Sequence, residues 1–276
     1  MTPFLITTSA RAALCEIIET SLRPVPKNCM EIRLGEICIG HIQPEIFREI
    51  HRCLEDGEND WNFIQAHNSY LQLELSNPFN VSQELKILAE CLRVKNLIHG
   101  WRNEEYAFID EFSHEKFRLE RSVFRTFGMH SRAIHVNGFT EHQTVWLAKR
   151  SPHKQTDPGK LDNLTAGGIA ADETIQICAL RELWEEAGIP HTHLKKLNPI
   201  SFIRVRRLIP HEGLHHETLY TFDLPMSDEL LPMNQDGEVS EFINMSFNEA
   251  VDLVLTDELT PDAAAVTADF LLRMSS

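Results

Sequence analysis

Residues 167–189 read Gly-Gly-Ile-Ala-Ala-Asp-Glu-Thr-Ile-Gln-Ile-Cys-Ala-Leu-Arg-Glu-Leu-Trp-Glu-Glu-Ala-Gly-Ile, and this stretch decides the fold. A strand ends in the glycine pair, a short loop follows, and a helix is expected from about 174 to 187. At about 100° per residue, Ile177, Leu180, Trp184 and Ala187 share one face, and Glu182, Glu185 and Glu186 share the opposite one. Arg181 stands four residues before Glu185 and can pair with it. Carboxylates packed this closely repel one another, and a solvated acidic helix face is their ordinary use. These three sit in the second half of the helix, where the macrodipole disfavours negative charge. A compensating cation is therefore expected. Hard divalent ions take oxygen ligands, and the Gly167 carbonyl adds one more.

Working outward, the texture on both sides is that of short strands. AIHVNGF (133–139), TVWLAKR (144–150), LTAGG (164–168), ISFIRVRRL (200–208), TLYTFDL (218–224) and SEFINMS (240–246) are strand-like runs separated by turns. Ser246 and Glu249 form a capping box that opens one helix, and Thr260-Pro261 opens the last. The first half reads differently. SARAALCEIIETSL (9–22) is a helix, MEIRLGEICIGHI (30–42) a hairpin around Gly35, and PEIFREIHRCLEDG (44–57) a helix closed at Gly57. SQELKILAECLRVKNLIH (82–99) is a further helix, and YAFID (106–110) a short strand. At roughly 150 residues per domain, 276 residues suggest about two domains. The change of texture places the boundary near residue 125, with an N-terminal α+β domain over 1–125 and a second domain over 126–276.

The glycine–glutamate stretch resembles the Nudix box, Gly-x5-Glu-x7-Arg-Glu-U-x-Glu-Glu-x-Gly-U with U aliphatic, at all nine specified positions from Gly167 to Ile189. The resemblance implies an α/β fold, the Nudix α/β/α sandwich with a mixed sheet, here preceded by the smaller α+β domain. It implies hydrolysis of a diphosphate linked to another group with Mg2+ or Mn2+. By position, Glu182, Glu185 and Glu186 would hold the metal with help from the Gly167 carbonyl. Arg181 would orient a carboxylate, and Glu173 would brace the loop–helix turn. Further residues are similar to one Nudix subgroup, related to thiamine pyrophosphokinase proteins and carrying its own N-terminal domain. They are Trp146, Lys149-Arg150-Ser151, Lys154-Gln155-Thr156, Pro158-Gly159, Leu161-Asp162-Asn163, His135 to Phe139, and Asn234 to Val239. That similarity implies diphosphates of thiamine or of its damaged oxo and oxy forms as substrates, cleaved to the monophosphate.

The remaining candidates follow from charge and shape. Lys plus Arg is 26 against 41 Asp plus Glu, a net charge of −15, which argues against nucleic acid and anionic membranes as partners. No Lys or Arg occurs from 208 to 272, so residues 149–207 are the positive side of the second domain, Lys154 and Lys160 among them. Arg204 and Arg206 share a strand face and suit phosphate contact. Glu182 is the first choice for the base that deprotonates water, with Glu238 or Glu241 as the alternative. Selectivity is expected from Asp162, Asn163, Gln155, Arg204 and Tyr220, with the N-terminal domain as a further candidate. Trp146, Phe139, Phe202 and Tyr220 are the rings available to stack a flat group. Six cysteines show no C-x-x-C pair and no disulfide framework, so reduced thiols in the cytoplasm are expected. The first residues lack a basic start followed by an apolar run, and no stretch reaches the roughly 20 apolar residues of a membrane span. A homodimer stays open.

Three rival readings stand beside this one. A Nudix hydrolase of ADP-ribose, nucleotide sugars or nucleoside triphosphates needs the same box. A non-catalytic diphosphate sensor would be favoured by loss of a box glutamate, and none is lost. His211-Glu212-Gly213-Leu214-His215 fits the zinc-protease pattern H-E-x-x-H but needs a helix, against which Pro210 and Gly213 argue.

Overall fold

The computed structural model describes residues 3–56, 60–74, 78–154, 156–191 and 197–275. Gly57, expected to close a helix, and Gln155, expected at the substrate, lie outside the described residues. The chain opens with α1 (Thr8–Ser21), whose N-cap Thr7 hydroxyl accepts from the Ala10 N–H. Next come β1 (Met30–Leu34) and β2 (Ile37–Ile42), an antiparallel hairpin turning at Gly35 with φ +59°. After α2 (Pro44–Glu55) come β3 (Ile64–Ala66), β4 (Tyr70–Leu73) and α3 (Pro78–Val94). β4 pairs parallel with β1, giving a four-stranded sheet of order β2-β1-β4-β3. At three and four residues, β3 and β4 are too short to show alternation in sequence. α3 begins earlier and ends earlier than its pattern predicts, and Asn96 turns left-handed just beyond it.

The sequence predicts six reduced cysteines. Instead Cys53 on α2 and Cys91 on α3 form a disulfide, 38 residues apart. No spacing rule flags this pair; the packing of α2 on α3 brings the two together. The other four are free thiols.

A two-stranded sheet, β5 (Glu105–Ile109) and β6 (Glu115–Glu120), and the short α4 (Arg121–Thr126) lead into the second half. There β7 (Ser131–Phe139), β8 (Thr144–Arg150), β9 (Leu161–Asn163) and β10 (Thr165–Gly168) precede α5 (Ile175–Glu185). β11 (Ser201–Ile209), β12 (Gly213–Pro225), β13 (Val239–Ser246), α6 (Phe247–Val254) and α7 (Pro261–Met274) complete the chain. The large mixed sheet has the order β11-β12-β7-β8-β13, with β10 beside β7 and β9 beside β8. β7 and β12 run parallel at its centre. Both faces of β7 are covered: Ile134 and Val136 pack with α5 residues Cys178, Ala179 and Leu183, and Ala133 packs with α7 residues Ala265 and Val266. That burial explains its nearly continuous apolar run. The result is the expected α/β/α sandwich.

α1 departs from the predicted 1–125 unit. Phe4 and Leu14 join the core built by Phe247 and Phe270, so the first helix packs on α6 and α7. Its sequence shows an apolar face but not which surface covers that face. The residues from β1 to Met129 form their own core. No helix among the described residues is long and apolar enough to cross a membrane. His211 sits in a turn with φ +65° and His215 lies on β12, so the H-E-x-x-H pattern forms no helix and the protease reading falls.

Candidate active site

Thr174 caps α5 by accepting from the Ile177 N–H at 3.2 Å. The helix buries Cys178, Ala179, Glu182 and Leu183, while Ile177 and Trp184 stay about half exposed, at 52% and 48%. The buried side is thus rotated from the apolar stripe of the sequence, and it carries a glutamate inward. Glu182 meets the end of β10 so closely that a Cβ on Gly167 would stand 1.8 Å from its Oε1. Only glycine permits that approach.

Glu186, just past α5, is buried. Its Oε2 accepts from the Thr165 hydroxyl at 2.7 Å and the Ala166 N–H at 3.0 Å, and its Oε1 accepts from the Lys154 ammonium at 3.0 Å. Burial and the neighbouring Glu186 push the Glu182 carboxyl up to about 8. Burial raises Glu186 as well, against the pull of Lys154 and its backbone donor. Burial also works to raise Glu173, but Arg181 donates to it at 2.6 and 2.9 Å and holds it low. The same guanidinium donates to Glu182 at 2.6 Å and Glu185 at 3.0 Å. Glu173 accepts from the Ala170 N–H at 3.2 Å, across the loop–helix turn.

Arg181, Glu182 and Glu185 line one wall of a cleft of about 270 Å³ with Gly167, Lys154, Asp162 and Glu238. Lys154 bridges Glu186 and Glu238, reaching the latter at 2.6 Å. Burial alone would raise Glu238, and Lys154 outweighs it. Asp162 holds Arg150 at 2.8 Å. Asn163 is fully buried behind the cleft, bonded to His135, Asn137 and Thr267.

Other predicted residues lie elsewhere. Arg204 stands over the exposed Phe202 ring, and Arg206 donates to the Arg23 carbonyl. The strand presents its next arginine instead: Arg207 faces the cleft and holds Asp262 at 2.5 Å. Glu241 is exposed, 3.9 Å from Lys149. Tyr220 and Trp146 pack against the core under α5, and Phe139 against Phe270. The rings beside the cleft are Tyr106 and Phe124, from the first half. Also from the first half are Arg102, Glu104, Arg121 and Arg125, none of them anticipated. Arg118, Arg121 and Arg125, clustered in an acidic chain, were the available signal. Among the described residues, His215, Glu217 and Asp262 are the group whose ligand atoms lie within 4.8 Å of one another, and Asp262 there pairs with Nη1 and Nη2 of Arg207.

The donor set fits a hard divalent cation. Glu182 and Glu185 line the cleft with Gly167, Glu186 lies buried next to them and holds the ammonium of Lys154, and the glutamate side chains are hard oxygen donors. An acidic, cation-ready cleft on an α/β/α sandwich defines a class of phosphate-handling hydrolase. A family model described as NUDIX domain matches residues 129–270, and one described as Domain of unknown function (DUF4743) matches residues 24–131. The chain belongs to the Nudix family and is a hydrolase acting on phosphoric anhydride bonds, a class that generally uses ions such as Mg2+ or Mn2+. It is 30% identical over 254 residues to Nudix hydrolase 24, chloroplastic, of Arabidopsis thaliana, a match spanning 87% of this chain and 68% of that one. It is 30% identical over 193 residues to Uncharacterized protein YJR142W of Saccharomyces cerevisiae, spanning 64% of this chain and 56% of that one. Among solved structures, DR0079 from Deinococcus radiodurans aligns over 63% of this chain and 100% of its own, with 16% identity and a TM-score of 0.46.

Proposed function

We propose that the chain is a metal-dependent pyrophosphohydrolase of thiamine-type diphosphates, acting on damaged oxo and oxy forms in preference to thiamine diphosphate and releasing the monophosphate and phosphate. The observation that carries the hydrolase chemistry is the buried Glu182–Glu186 pair beside Gly167. What supports the ring assignment is the run of subgroup residues from His135 to Val239, Lys154 and Asp162 among them. Glu182, Glu185, Glu186 and the Gly167 carbonyl would hold the ion, which supplies Lewis acidity toward the phosphoryl oxygens and toward water. Glu182 is the base: it faces the cleft against Gly167, and Arg181 fixes its orientation. It takes the proton of water as the new oxygen–phosphorus bond forms and the bridging phosphorus–oxygen bond breaks. Glu238 is the alternative base, held at the cleft by Lys154. Glu241, exposed beside Lys149, has no support in that role.

The test compares kcat/KM for oxythiamine diphosphate, thiamine diphosphate and ADP-ribose at one pH and one Mg2+ concentration, then with Mn2+ and with chelator. The order expected is the order named, with no turnover in chelator. ADP-ribose or a nucleotide sugar as the best substrate overturns the ring assignment and leaves the hydrolase chemistry standing. Full turnover in excess chelator overturns the metal dependence.

A further inference from the structure

The cations around the cleft are not equivalent. Lys154, Arg150, Arg181 and Arg207 each hold a carboxylate within 3.0 Å. Arg121 holds Glu104 at 2.5 Å and Arg125 holds Glu212 at 2.6 Å. Arg102 differs. Its ion-pair partner is Glu238 at 3.7 Å, and its side chain is 42% exposed. Glu238 is itself already bound by Lys154.

The backbone that carries Arg102 is fixed. Buried Glu120 accepts from the Arg102 N–H at 3.2 Å and the Glu104 N–H at 3.1 Å, clamping the loop to α4. This half of the chain also docks directly on the catalytic loop. The Ala171 N–H donates to the Glu105 carbonyl at 2.8 Å, Arg118 holds Asp172 at 2.6 Å, and the Tyr106 hydroxyl occupies the space a side chain at Gly168 would need. Between the halves the cleft continues into a cavity of about 400 Å³, lined by Tyr106, Arg121, Phe124, Arg125 and Ser131 and sharing Arg102 with the cleft.

We propose that the N-terminal half is the second wall of the active site, with Arg102 receiving a phosphate of the diphosphate and the cavity behind it receiving the organic group. The inference rests on the diphosphate-hydrolase reading and is independent of which ring is bound. A guanidinium meets phosphate oxygens through a two-pronged set of donors. An arriving phosphate takes little from Arg102, because the contact it replaces is long and partly solvated. The cavity wall is largely polar, with Ser122, Ser131, Arg121 and the Arg125–Glu212 pair lining it, which suits a polar organic group.

The test is calorimetric binding of inorganic pyrophosphate with Mg2+, by wild type, Arg102→Ala, Arg102→Lys and the remote surface variant Arg48→Ala. Steady-state kinetics accompany it, on whichever diphosphate the wild type turns over best. Arg102→Ala is expected to weaken pyrophosphate binding by about 10-fold and raise KM in proportion, with kcat within about 3-fold. Arg102→Lys should recover part of the affinity, the Arg102→Ala affinity should depend less on salt, and Arg48→Ala should match wild type. Wild-type affinity in Arg102→Ala overturns the inference, as does absence of pyrophosphate binding by wild type. A loss confined to kcat also overturns it. Failure of the ring assignment shows in the substrate order alone and leaves pyrophosphate binding unchanged.

Discussion

Glu186 shows how tightly a single residue is specified here. Its two oxygens meet one ammonium, one hydroxyl and one backbone N–H, all donors, in a buried setting. Glu186→Gln keeps the volume but turns one acceptor into a donor that faces donors, and removes charge from the proposed ion site. Turnover is expected to fall on the order of 10²-fold or more, with a cooperative melt retained. A rate near wild type would show that the catalytic centre lies elsewhere. At this scale the box glutamates were legible because they lie close together on one helix and its end, where spacing alone sets their relation. Arg207 was not, because a strand places neighbours on opposite faces and the pattern gave no phase: Arg204 and Arg206 took the outer side. Arg102 was illegible for another reason, since its relation to Glu238 spans 136 residues and exists only through tertiary packing.

Among the elements, the turn from β10 into α5 does two jobs through adjacent glycines. Gly167 admits Glu182, and Gly168 admits Tyr106 of β5, where a Cβ would stand 1.5 Å from the hydroxyl oxygen. Gly168→Ala is therefore expected to destabilise the protein by about 1–3 kcal/mol through overpacking. Tyr106→Phe in the same chain should restore part of the loss, because the nearest clashing atom is gone. An unchanged melting temperature in Gly168→Ala would mean that β5 does not dock there. Elements with strong local signals were read well. Ser246 forms its capping box with Glu249, and Thr260 caps α7 with Pro261 at its first turn. Elements defined by partners were not: β3 and β4 exist through β1, and the Cys53–Cys91 bond through the contact of α2 with α3.

At the scale of the whole molecule, the two halves meet over the cavity, and histidines crowd that junction. His216 on β12 lines it, with the His130 ring 5.1 Å away. Burial, then His130, Arg206 of β11, His41 of β2 and His215, press the His216 imidazole down to about 3. Burial lowers His130 and His41 as well. An unfolded histidine takes its proton near 6.5. Between about 6.5 and 3 the unfolded chain thus binds a proton that folded His216 refuses. Its contribution to stability is full above 6.5 and is lost as pH falls through that window, at no more than about 1.4 kcal/mol per pH unit. His216→Gln removes this one titration and leaves the others in place. Melting temperatures of wild type and variant, both with Mg2+, should therefore differ with pH: the variant gains on wild type at about pH 5 relative to about pH 7.5, whatever the sign of its offset at neutral pH. A difference that stays constant across that range would mean that His216 carries its proton in the folded protein as readily as in the unfolded one, and that acid does not act on the junction through this residue.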